Sequence, residues 1–105
     1  MGIVTPVVTG SGQRRDFSLI TAAYGDLIGG LTGVSILGLW NTTNEDLYFS
    51  LNAATSDSLL IPAGAFWEVN FGANGLVYSG TIAVRSRTAT APTSGAAYAS
   101  IIGRV

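Results

Sequence analysis

The chain has no cysteine, no histidine and no lysine. Without cysteine, disulfides and thiolate-bound metals are excluded. Without histidine as well, the commonest general base and the thiol nucleophile are both missing. Charge is scarce too, at 10% of 105 residues, against roughly 25% in an average soluble domain. The net charge of −1 creates no field that draws the chain to nucleic acid or to anionic lipid. No apolar run approaches the roughly 20 residues of a membrane span. The opening MGIVTPVVTG lacks the charged start and long apolar run of a signal peptide, and Pro6 breaks the myristoylation pattern. The expectation is a protein without cofactor, nucleic-acid partner or membrane partner.

What remains is apolar. Hydrophobic residues make up 48% of the chain, which argues for a folded domain. At 10.8 kDa it is one domain, able to bury roughly 60–70% of its unfolded surface. So few charges leave much uncharged surface exposed, and such a surface suits contact with other subunits. All five cations are arginine, the cation enriched at interfaces. Arg14, Arg15, Arg85, Arg87 and Arg104 are therefore the candidate subunit-interface residues. Arg85 and Arg87 share a strand face and Arg104 lies on the last strand; if those strands neighbour each other the three would meet acids of another subunit, the plain reading being exposed arginines on a solvated face.

Period-two alternation marks the strands. Leu47, Phe49 and Leu51 alternate with Tyr48 and Ser50, and Trp67, Val69 and Phe71 with Glu68 and Asn70. Each pattern is a strand with one apolar face. A polar loop and a Pro62-Ala63-Gly64 turn join these runs. Further strands are expected at 3–9, 17–23, 34–40, 76–86 and 97–102, with a short helix as the alternative at 17–23. Residues 24–33, YGDLIGGLTG, hold four glycines and read as a loop or bulged connection. Gly38 and Gly80 mark bends or bulges inside strands. NTTNED at 41–46, Asn74-Gly75 and RTATAPTSG at 87–95 read as turns and loops. The spacing suggests a sandwich or barrel, and the expected fold is a single all-β domain, an antiparallel β-sandwich of seven or eight short strands. Residues 1–15 form a strand or arm and 16–105 the sandwich.

The order of motifs carries a likeness. Asn41-Thr42-Thr43 precedes a strand ending in Phe49-Ser50. Ile61-Pro62-Ala63-Gly64 leads to the strand at 66–71, Gly72-Ala73-Asn74-Gly75 follows, and Ala91-Pro92-Thr93-Ser94-Gly95 leads to the last strand. Over about residues 34–103 this resembles the small jelly-roll or sandwich structural proteins of tailed bacteriophages. The resemblance implies a virion component in many copies: a capsid decoration (cement) protein, or a neck or tail part. It implies contacts with its own kind and with other virion proteins such as the major capsid protein.

Four other sites bear weighing. Asp46 with Glu68 is the carboxylate pair a glycosidase would need; the plain reading is solvated turn and strand acids, and no G-x-S-x-G elbow surrounds any serine. Asn44-Glu45-Asp46 with Asp57 offers oxygens for calcium, though the spacing matches no EF-hand loop and the plain reading is capped polar loops. Trp40, Trp67, Tyr48 and Tyr78 are the candidates for a sugar-stacking platform, the mark of a carbohydrate-binding module; alternation places Trp67 in the core and favours Tyr48 and Tyr78 on an outer face. Asn41-Thr42-Thr43 fits a glycosylation sequon, read as incidental in a chain without a secretory signal.

Overall fold

A computed structural model describes residues 8–9, 14–53 and 57–103. Among the described residues there are eight strands: β1 (Val8–Thr9), β2 (Arg14–Asp16), β3 (Gly25–Asn41), β4 (Leu47–Ser50), β5 (Leu59–Ile61), β6 (Phe66–Asn70), β7 (Tyr78–Ser86) and β8 (Ala96–Gly103). Every pairing is antiparallel. The fold is all-β, with short 3-10 turns at Phe17–Leu19 and Phe71–Asn74.

β3 organises the rest. Its 17 residues exceed the usual strand length of 3–10, and the strand divides its partners by halves. Gly25 to Val34 pair with β7, which in turn pairs with β4, and β4 with β5. Beyond Val34, β3 is flanked by β8 on one side and β6 on the other, while β8 also takes β1 and β2. The change of partner is made through three register shifts between Asp26 and Val34. Gly30 and Gly33 lie within that stretch at φ of +67° and +63°, a conformation that costs a side-chain-bearing residue energy.

Both halves turn their apolar residues to one core. Leu47, Phe49, Ile82 and Val84 come from one set of strands and Leu37, Leu39, Ala97 and Ile101 from the other, and all are buried in a single cluster. β3 passes between the two sets and adds Leu27, Val34, Leu37 and Leu39 to that cluster. Burying a side chain the size of Phe49 is worth roughly 2–3 kcal/mol.

The alternation at 47–51 and 66–71 locates β4 and β6, with Trp67 and Val69 packed against the core. Three readings need correction. The 17–23 segment is no strand: Asp16 accepts hydrogen bonds from the Ser18 amide and hydroxyl and caps the turn Phe17–Leu19. Only Ile20 there is buried. The glycine-rich 24–33 stretch is the first half of β3, because its glycines accommodate bulges without ending the ladder. Finally, the connection between the 47–51 and 66–71 runs is more than a polar loop and a turn. β5, only three residues long, intervenes and pairs with β4, and β6 crosses to β3.

At the N-terminus, Val8–Thr9 and Arg14–Asp16 pair with β8 of their own chain. β2 spans the expected boundary between residues 15 and 16. Residues 1–7 and 10–13, and Arg104, lie outside the described residues.

Candidate functional site

The polar segment after β3 ties the loops together. Asn41 is fully buried. Its amide nitrogen donates to the carbonyls of Glu45 (2.8 Å) and Ile61 (2.9 Å), and its oxygen accepts from the Thr43 amide and hydroxyl. Its backbone reaches the next loop: Asn41 N–H donates to Ala65 O, and Gly64 N–H to Asn41 O. Thr42 bonds Ala96 through both its backbone N–H and its hydroxyl. Asn44 meets Thr93, and Asp46 accepts from the Ala63 amide and from Arg87. The NTTN, IPAG and APTSG segments are thus adjacent in space and hold one another. The sequon is not available for glycosylation in this fold, because both donor positions of the Asn41 amide are in use.

Two clusters occupy outer faces. On β7 and β4, Arg85 lies over the Tyr48 ring (4.7 Å) and the Tyr24 ring (5.5 Å). Its guanidinium makes two bonds to Asp57, at 2.8 and 3.1 Å, and Tyr24 donates its hydroxyl to the same carboxylate. The Arg85 bond, then the Tyr24 bond, hold the Asp57 carboxyl below its ordinary pKa. Burial, then the bond to Asp57, push the Tyr24 hydroxyl up to about 12. Asp57 raises Arg85 above its ordinary value. This cluster is internally satisfied and has the character of a fastener.

The second cluster crosses four strands in one row. Arg14 stands opposite Tyr98, Tyr98 opposite Trp40, and Trp40 opposite Phe66. Directly opposed residues project from the same face. The contacts agree: Arg14 over Tyr98 at 5.7 Å, Trp40 to Tyr98 at 6.1 Å, and Trp40 to Phe66 at 6.5 Å, edge to face. Trp40 is 48% exposed and Phe66 56%. In the next row Gly38 lies between Ser100 and Glu68. The Phe66 ring covers it, since a β-carbon there would stand 3.1 Å from the ring tip.

No family model, curated protein or solved structure matches this chain. Its site is therefore read from its own geometry.

Of the candidate interface arginines, four are described, and each finds a partner inside the chain. Arg14 meets Asp16 (2.8 Å), Arg85 Asp57 and Arg87 Asp46 (3.3 Å), while Arg15 donates to the carbonyls of Leu19 and Asp26. Arg14 alone joins the aromatic row. The proposed calcium oxygens are dispersed: Asn44 binds Thr93, Asp46 binds Ala63 and Arg87, and Asp57 binds Arg85 and Tyr24. Among the described residues no three acids gather as a metal would need. Asp46 and Glu68 share no hydrogen bond, one lying in the turn before β4 and the other on the outer face of β6.

Of the four aromatic candidates, only Trp40 is largely exposed. Trp67 packs on the core, Tyr48 lies under Arg85, and Tyr78 stacks on Phe71 (5.8 Å) and donates to the Leu51 carbonyl; burial raises its pKa. Phe66 and Tyr98 were not singled out by the sequence. The signal for Phe66 was available, because strict alternation places it with Glu68 and Asn70 on the polar side. Tyr98 sits among small residues and gives no such signal.

Proposed function

We propose that this chain is a non-enzymatic structural protein of a tailed-bacteriophage virion. In this reading it is a capsid decoration or cement component, a β-sandwich of jelly-roll type, assembling in many copies with its own kind and with the major capsid protein. The observation that carries the reading is the row of exposed Trp40 and Phe66 with half-buried Tyr98 on one sheet face of a charge-poor chain. Exposed aromatic surface in a row is the usual core of a protein contact. The interlocked NTTN, IPAG and APTSG segments support it further, since the motifs behind the family likeness meet in space. A contact worth little in one copy gains weight when repeated across a lattice. The test is the chain's presence and copy number in purified particles, by quantitative mass spectrometry. Many copies per particle support the proposal, and absence from the particle overturns it.

The same row favours a second reading, a carbohydrate-binding or tail and neck adaptor module, since exposed aromatic rings also stack on sugars. Trp40 and Phe66 meet at 86°, so they offer no common plane to an extended glycan. A glycan array without binders removes the carbohydrate reading.

A further inference from the structure

We propose that the outer face of β2, β8, β3 and β6 receives a second copy of this chain, face to face, about a two-fold axis running along the strands. The proposal rests on the assembly reading above and names the surface that serves it.

The argument comes from where the charges stand. The four strands lie in the order β2, β8, β3, β6, spaced about 4.8 Å apart. Trp40 and Tyr98 hold the middle. Arg14 is at one flank, in the aromatic row. Glu68 is at the other flank, one row along and opposite Gly38. Among the described residues Glu68 has no ion-pair partner.

A two-fold axis along the strands lays the β2 flank of one copy over the β6 flank of the other. Arg14 then stands one row, about 7 Å, from the other copy's Glu68, within reach of its long side chain. Asp16, its present partner, is one row away on the opposite side. The guanidinium, with five N–H donors, therefore sits between its own Asp16 and the second copy's Glu68. The contact is made twice, as two-fold symmetry requires. An axis across the strands instead stacks Arg14 on Arg14, which like-charge repulsion disfavours. The charge pattern thus selects one arrangement.

Area sets the strength. The exposed parts of Trp40 and Phe66 amount to about 100 Å² each, whereas a stable pair buries about 800 Å² per partner. The aromatic centre supplies roughly a quarter of that, and the flanks of the four-strand face supply more. The association is accordingly reversible and concentration-dependent.

Sedimentation velocity over a concentration series tests this on the full chain. Wild type is expected to move from monomer to dimer as concentration rises. Arg14→Glu and Glu68→Arg should each remain monomeric, since each opposes like charges. Mixed in equal amounts, the two variants should pair, because every facing contact is then opposite in charge. Both side chains are on the surface, and circular dichroism melts check that the variants fold. In a Trp67→Phe background, the emission of Trp40 should shift to the blue on association, an independent reading of the same face. Self-association that survives both reversals overturns this surface while leaving the assembly reading intact. A mixture that fails to pair overturns the two-fold arrangement. A wild type that stays monomeric throughout overturns both, as does an oligosaccharide that alters Trp40 emission while no dimer forms.

Discussion

Asn44 and Thr93 hold each other by two hydrogen bonds of 2.9 Å, one in each direction. The Thr93 amide donates to the Asn44 side-chain oxygen, and the Asn44 amide donates to the Thr93 hydroxyl. They are 49 residues apart. Together with Thr42 and Ala96 they fasten the loop before β8 to the end of β3, which sets the register of the strands that carry Trp40 and Tyr98.

Gly95 sits inside that fastening at φ +80°, and a β-carbon there would overlap the Thr42 carbonyl. Gly64 has a similar φ of +78° with open space around it. Gly64→Ala should therefore cost only about 1 kcal/mol, the conformational penalty alone. Gly95→Ala adds a clash with backbone and should cost about 3 kcal/mol or more. Urea titration of the two variants checks the difference.

Asn41→Ala should be among the most damaging single changes. It removes two donors from buried or partly buried carbonyls and an acceptor from Thr43. Each buried group left unpaired costs about 1–3 kcal/mol, so a loss of about 3 kcal/mol or more is expected in chemical denaturation.

Ser35 should behave in the opposite sense. Its hydroxyl is buried on β3 with no hydrogen-bond partner among the described residues. Removing such a group relieves a desolvation penalty. Ser35→Ala should stabilise the protein by about 1 kcal/mol, read as a higher denaturation midpoint with an unchanged slope.

The Tyr24, Asp57 and Arg85 cluster should give stability two pH limits. Tyr24 holds its proton more tightly folded than unfolded, so its contribution is intact below pH 10 and is lost as pH rises towards about 12. Asp57 is held below its ordinary 3.8, so its contribution is present above that pH and is lost as pH falls through the folded value. Thermal melts across pH should show Tyr24→Phe flattening the alkaline fall and Asp57→Asn flattening the acid one.

How much of this was written in the sequence depends on where the information sits. Leu47, Phe49, Trp67 and Val69 declare their strand faces because polar neighbours alternate with them. VSILGLW at 34–40 carries no such contrast, so the outward aim of Trp40 emerges only once β6 and β8 flank it. YGDLIGGLTG conceals a strand because glycine content signals a break, whereas here it permits bulges within a continuing ladder. Phe17 to Ala23 has strand-forming residues, but Asp16 supplies a cap and local hydrogen bonding prevails. For the arginines, composition marked them as contact-makers, and pairing within the chain to Asp16, Asp46 and Asp57 could not be known before the loops were placed. The aromatic row joins residues 14, 40, 66 and 98, and no local pattern links positions so far apart.

The division of β3 between two sets of partners bears on synthesis. Val34 to Asn41 pair with β6 along one edge and with β8 along the other, so that second edge of the longest strand stays unpaired until residues 96–103 have left the ribosome. Completion of the sheet then waits on long-range pairing, the slow class of folding step, on the order of milliseconds to seconds. During that interval an apolar ladder edge stands open to other nascent chains, which makes crowding during expression, more than the stability of the finished fold, the hazard this topology carries.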